Sequence, residues 1–267
     1  MPMEMTYADD VDFFEEEEEP LDQLQPIAAE TLKSPYNLFM NNTKTDFTNV
    51  FLADVTEADD ELEPLRGREP WRKKKVLGSL LCSTEDIKSR RIMGNLAFKS
   101  YWKIWNRRSK IPLQTRLHLY NAICVSVMLY NCSSWAVPKA QLDKLDACHR
   151  NHLRIITGHK WPNSLISNDA LYRMCKDEPL SRRVHRARWN MFGHVLRMDM
   201  NSPAQKSLEF ALAGSTKYRA RSGRHCSNLL EQLRADMKLR QRGQLRTIRQ
   251  LSFLRQQAHD KHTWRLF

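Results

Sequence analysis

The sequence lacks several features that would narrow its chemistry at once. Its six cysteines, at 82, 124, 132, 148, 175 and 226, form no CxxC pair. That argues against a disulfide framework and predicts reduced thiols. The first thirty residues are acidic and carry no apolar core, so they do not read as a secretory signal. The longest apolar run, Ala122 to Tyr130, is far too short to span a bilayer. A soluble, intracellular chain, nuclear or cytoplasmic, is the expectation. There is no phosphate-binding glycine loop, no Ser/His/Asp or Cys/His catalytic arrangement and no internal repeat.

Acidic residues are scarce beyond the first quarter of the chain. Residues 1–70 hold 19 acidic and 4 basic side chains, net −15, and the remainder holds 12 and 39, net +27. A short acidic head thus precedes a long basic body. A body of that charge favours a polyanion, and nucleic acid is the default partner. The same composition also suits a helical domain with Lys and Arg on its exposed faces.

At 267 residues the chain can bury a sizeable core. The pattern predicts an α+β, predominantly α protein. A small partial antiparallel sheet is followed by a three-helix bundle and further basic helices. Apolar spacing predicts a helix over 21–33 that loses a hydrogen bond at Pro26 and ends by Pro35. Strands are expected at Phe47–Phe51 and Val76–Leu80, separated by an acidic loop or insertion over 54–70. Ser83 or Thr84 would cap a helix running to about Arg108, with Met93, Ala97, Tyr101 and Ile104 as its stripe. A second helix opens at Pro112 and is apolar nearly all round to Tyr130, hence central. A third, from about Lys139 to Thr157, ends at Gly158. Helices follow at Asn168–Cys175, Ser181–Met198, Asn228–Arg240 and Gln244–Lys261, with residues 200–224 read as a mobile loop. The expected divisions are 1–83, 84–160, 161–200 and 201–267.

One stretch in the acidic head carries a chemical signal. Tyr7-Ala8-Asp9-Asp10 lies between Met3 and Met5 on one side and Val11, Phe13 and Phe14 on the other. Two short strands with adjacent carboxylates at their turn are the natural reading. Carboxylate oxygens at such a tip suit a hard divalent cation, although an Asp pair also occurs in ordinary polar turns.

On these residues, and on others that follow in the same order, the chain resembles the reverse transcriptases of retroelements lacking long terminal repeats (the LINE type). Asn41, Lys44 and Thr45 match the family's Asn-x-x-Lys-Thr segment. Leu77-Gly78-Ser79 matches its Leu-Gly strand. Arg116 to Asn121, Leu129 to Trp135, Leu153 to Gly158 and, most specifically, Arg188-Trp189-Asn190-Met191-Phe192-Gly193-His194-Val195-Leu196-Arg197-Met198 are similar to its helical segments. The match covers most of residues 3–200 and, more weakly, 225–264.

The resemblance implies that 1–83 is a partial palm and 84–160 a thumb-like bundle, with basic extensions beyond. Asp9 and Asp10 would bind Mg²⁺ for two-metal nucleotidyl transfer, and Lys44 would assist departure of pyrophosphate. Tyr7, Lys73, Lys74, Lys75, Leu77 and Gly78 would hold the primer. Arg182, Arg183, Arg186, Arg188 and Arg197 would contact phosphates of an RNA template or RNA–DNA duplex, by charge rather than base readout. A dNTP would be the substrate of a complete enzyme. Only six residues precede Tyr7, and the family's other metal-binding aspartate would lie upstream. The expectation is therefore a carboxyl-terminal portion of such an enzyme, inactive alone. The alternatives are a non-catalytic nucleic-acid-binding helical protein, or a remnant whose open sheet edge aggregates.

Cys148 and His152 lie one turn apart, with His149 and His159 nearby, a spacing able to bind zinc. A buried Cys and His on an amphipathic helix explains the same letters. His194 is read as a hydrogen-bonded packing residue. The aromatic residues at helical spacings are assigned mostly to packing, although Arg interleaving would also suit stacking on bases. The Arg219–Arg224 loop is a further candidate for phosphate contact.

Overall fold

The computed structural model describes residues 3–7, 10–14, 18–33, 39, 74–159, 166–214, 229–239 and 245–265. These residues are predominantly helical. The chain divides into two units, and each is described by itself.

The first unit contains β1 (Met3–Tyr7), β2 (Asp10–Phe14) and α1 (Glu18–Lys33). The two strands pair antiparallel from Met3↔Phe14 to Tyr7↔Asp10, so only Ala8 and Asp9 connect them. Apolar residues on both arms favour that pairing. Helix α1 runs through Pro26, where one backbone donor is missing. The expected strand at 47–51 and the acidic stretch 54–70 lie outside the described residues.

The second unit opens with a hairpin where a single strand over Val76–Leu80 was expected. Strands β3 (Lys75–Val76) and β4 (Ser79–Leu80) pair antiparallel, and Leu77 and Gly78 form the turn with φ of 47° and 78°. A two-residue turn of this kind, type I′, needs both central residues left-handed. Gly78 adopts this freely, whereas Leu77 must be held there. The Tyr130 hydroxyl donates to the Leu77 carbonyl at 2.9 Å, and the Arg90 guanidinium donates to the Gly78 carbonyl and lies over the Tyr130 ring.

Helix α2 (Ser83–Ser100) starts behind Cys82, not behind a Ser or Thr cap. Ser83 Oγ accepts instead from the Ala136 amide. Asp86 in the first turn is buried, accepting from the Leu80 amide at 3.0 Å and from Trp135 Nε1 at 2.8 Å. One carboxylate thereby ties the hairpin, α2 and the segment around Trp135 together. The helix ends at Ser100, and α3 (Trp102–Asn106) takes a new course, so one helix to Arg108 does not form. The break lets Trp105 bury fully, donating to the Phe98 carbonyl and stacking on its ring. The stripe facing the core is Ile87, Arg90, Gly94 and Phe98, whereas Met93 and Tyr101, expected inside, are exposed.

Helix α4 (Leu113–Tyr120) follows Pro112 and continues through a π turn at Asn121–Val125 into α5 (Ser126–Met128). Its buried residues Leu117, Tyr120, Cys124 and Met128 bear out a central helix. Helix α6 (Lys139–Thr157) ends as expected at Gly158, whose φ is 90°. Arg116 is buried and donates to the carbonyls of Trp105, Ile111 and Ile156. A cation set among carbonyls at and beside helix ends is favoured where a neutral residue would leave three acceptors unpaired.

Helices α7 (Asn168–Cys175) and α8 (Leu180–Leu196) complete the first core. No side chain of its own caps α8, and Asp146 on α6 does so from outside. It accepts from the Ser181 amide at 2.9 Å and the Ser181 hydroxyl at 2.6 Å. Leu180 and Val184 of α8 pack into this core, and Trp189, Phe192 and Leu196 into a second one.

That second core is closed by α9 (Pro203–Gly214), α10 (Leu229–Leu239), α11 (Ile248–His259) and α12 (Lys261–Arg265). Residues 203–214, expected as loop, are a helix: Pro203 starts it and Leu212 is buried beneath it. Gln205, fully buried, donates to the Val195 carbonyl and accepts from Arg255. Trp264 stacks on Trp189 with ring centroids 4.3 Å apart, and each indole N–H donates to the other's carbonyl. Gly193 makes the room. An ideal Cβ there would stand 2.6 Å from Trp264 Cδ1 and 2.8 Å from Cε2. Gly193→Ala should therefore lower stability by about 2 kcal/mol by displacing the indole, read as a lower urea midpoint. An unchanged midpoint would mean that Trp264 is not packed there.

Among the described residues no helix is long and apolar enough to cross a membrane.

Candidate nucleic-acid interface

The residues singled out in the sequence are distributed over both units. In the first, the register brings Tyr7 and Asp10 opposite each other at the end of the β1–β2 hairpin. Asp9 falls in the connection, outside the described residues, as do Lys44, Lys73 and the Arg219–Arg224 loop. Two adjacent carboxylates at a hairpin end fit a hard divalent cation in donor type. No cluster of three metal-ligating side chains occurs among the described residues.

In the second unit Lys74 leads into β3 and Lys75 is its first residue, Lys75 exposed and Lys74 half-buried. Leu77 and Gly78 are exposed, but they form a latched turn rather than the gripping strand expected.

The five arginines of α8 and its end divide sharply. Arg182 is exposed, and Arg186 is exposed beside Glu178 at 2.8 Å. They are four residues apart and share a face. Arg183 is half-buried, pairs with Asp177 and donates to Asn121 Oδ1 at 2.8 Å. Arg197 donates to the Ala258 carbonyl. Arg188 is 1 % exposed, so it does not offer its charge to a phosphate. It donates to Asp236 Oδ2 at 2.6 Å and to the Trp135 carbonyl, while His185 Nδ1 lies 2.6 Å from Asp236 Oδ1. Burial works against an ionised Asp236, yet hydrogen bonds from His185 and Arg188 hold its carboxyl below the usual range. The signal was present in the sequence: Leu180, Val184, Arg188, Phe192 and Leu196 recur every four residues, and Arg188 lies on that buried stripe. His194 is exposed rather than packed.

The Cys/His group forms a hydrogen-bonded chain. Tyr120, fully buried, has its hydroxyl 2.9 Å from His149 Nδ1 and 3.3 Å from His152 Nδ1. Asn95 Oδ1 is placed 2.8 Å from His152 Nε2 and 3.2 Å from Cys148 Sγ. His149 Nε2 faces the Asp177 carboxylate at 3.6 Å, an acceptor, so the proton of the neutral ring belongs on Nε2. His149 Nδ1 then accepts from Tyr120, whose oxygen accepts from His152 Nδ1–H. His152 Nε2 is left as an acceptor. The Asn95 amide satisfies it when its NH₂ is turned inward, donating to both His152 and Cys148, since amide orientation follows the network.

Burial lowers the His149 pKa and takes that of His152 to about 4, so both rings are neutral near pH 7. Burial raises the thiol pKa of Cys148, and takes Cys124 to about 12 and Cys132 and Cys175 to about 11. These thiols are poor nucleophiles. The group is a hydrogen-bonded polar core in which His149 Nε2 and Asp177 Oδ2 alone face each other without a hydrogen bond.

No family model matches the chain, and no curated protein and no solved structure matches it.

Proposed function

We propose that the chain is a portion of a LINE-type reverse transcriptase, with the β1–β2 hairpin as the catalytic turn of its palm and the helical unit as its thumb and extension. The observation that carries this reading is the register Tyr7↔Asp10, which leaves Ala8 and Asp9 as the two-residue connection of an antiparallel hairpin. In this reading Asp9 binds Mg²⁺ with support from Asp10, and Lys44 donates charge toward pyrophosphate as a dNTP is added to a primer. Bound Mg²⁺ supplies Lewis-acid stabilisation of the attacking and leaving oxygens. Two-metal transfer also requires a carboxylate from another segment. Lys75 and the exposed pair Arg182 and Arg186 meet the phosphates of an RNA–DNA duplex.

A second reading, a non-catalytic nucleic-acid-binding protein, is supported by the net +27 of residues 71–267. Primer extension on an RNA template, with Mg²⁺, dNTPs and a palm polypeptide of the family that supplies the second carboxylate in trans, tests the first against it, since the chain by itself is expected to be inactive. Extension that Asp9→Ala reduces at least 100-fold is the outcome expected of a catalytic hairpin, since two-metal chemistry fails without its ligand. No extension, together with salt-sensitive duplex binding that Asp9→Ala leaves unchanged, would select the second reading.

A further inference from the structure

Between α2 and α6, beside the first turn of α3, lies a cavity of about 480 Å³, a size suited to a small organic ligand. Its rim carries the cations of Arg91, Lys99 and Lys144, and among the described residues no Asp or Glu lines it. Trp102, 43 % exposed just past the α2 break, forms part of the wall. The floor is Phe98 together with Asn95 and His152 of the hydrogen-bonded chain. The break at Tyr101 that sends Trp105 into the core leaves its neighbour Trp102 at this opening. None of the cations expected to touch phosphates lies in this cavity.

We infer that this cavity holds one nucleotide of a single-stranded nucleic acid, the base stacked on Trp102 and the phosphates met by Arg91, Lys99 and Lys144. An exposed indole among unopposed cations is the combination that single-strand binding uses: a sequence-tolerant stacking platform with an electrostatic groove. An acidic peptide would use the cations but carries no planar ring at every charged unit for the indole, as a nucleotide does. The polar floor is tied into the core by a run of hydrogen bonds from Asn95 through His152 and Tyr120 to His149. The inference rests on the nucleic-acid reading of the helical unit and is independent of catalysis by the hairpin.

The test uses the full chain and two labelled oligodeoxynucleotides of equal length and charge, oligo(dT) and an abasic strand, in a salt series. Trp102→Ala and Lys144→Gln alter exposed side chains, and thermal unfolding verifies that each variant is folded. Trp102→Ala should weaken oligo(dT) binding about 10-fold and leave the abasic strand unaffected. Lys144→Gln should weaken both and reduce the salt slope by about 0.7. The inference is overturned if Trp102→Ala weakens both strands alike or neither, or if polyglutamate displaces oligo(dT) equally from wild type and Trp102→Ala. Failure of the wild-type chain to bind either strand overturns it together with the nucleic-acid reading. Tight binding insensitive to Trp102 overturns it alone.

Discussion

Arg188→Met is expected to destabilise the protein by about 3–5 kcal/mol, because it strands a buried carboxylate. Asp236 is 1 % exposed, so without the guanidinium it keeps only His185 beside it and its charge is left under-compensated in the core. The Trp135 carbonyl loses its donor in the same step. Asp236→Leu should cost a comparable amount by leaving the guanidinium unpaired. The double variant Arg188→Met/Asp236→Leu should recover much of the loss, since replacing both charges removes the desolvation penalty from both sides. A urea double-mutant cycle measures this coupling. Purely additive losses would mean that the pair is not the interaction holding α8 to α10. Because the folded pKa of Asp236 is depressed, the pair stabilises above the ordinary carboxylate range. Its contribution is lost as pH falls below that range.

Acidification should act earlier through the two buried histidines. Both have folded pKa values below the unfolded value, His152 at about 4, so the unfolded chain binds more protons over that interval. The sign is opposite to that of a histidine gaining an acidic partner: stability is fully present above about pH 6.5 and lost as pH falls toward 4. A shift of this size corresponds to a contribution of about 3 kcal/mol from His152, with His149 acting in the same direction. The close approach of His149 to Asp177 does not reverse it, because burial outweighs that attraction. Urea midpoints should be flat from pH 8 to 7 and fall steeply below 6. Replacing His152 by Gln should lower stability at pH 7.5 and flatten the acid slope. A variant that retains the wild-type slope would show that another group carries it.

Local patterns identified much of the secondary structure. Pro112 at a helix start, Gly158 in the left-handed conformation at a helix end, and the alternation around Tyr7-Ala8-Asp9-Asp10 each act through nearest neighbours, so the sequence states them directly. Elements that depended on distant partners were not legible. The turn at Leu77 lacks the usual Asn-Gly signal, because Tyr130, 53 residues away, holds its carbonyl. The end of α2 has no Gly or Pro to mark it, because the burial of Trp105 is what turns the chain. Helix α9 was hidden inside a Gly/Ser/Arg-containing stretch until the second core gave Leu212 something to cover.

By itself the sequence determined the charge division between head and body, the hairpin with its adjacent carboxylates, and the phase of most helices. These are sums over composition or consequences of spacing at three, four and two residues. Only the tertiary structure decided which charges remain at the surface. In α8, Arg182 and Arg186 face solvent while Arg188, in the same run, is buried, since burying a guanidinium requires a carboxylate, and Asp236 supplies it from 48 residues away. Likewise Cys148, His149 and His152 have a metal-like spacing along one helix, yet Asn95 and Tyr120 from other helices are their hydrogen-bond partners. Spacing along one element cannot reveal a partner on another, and for buried polar groups the partner decides the role.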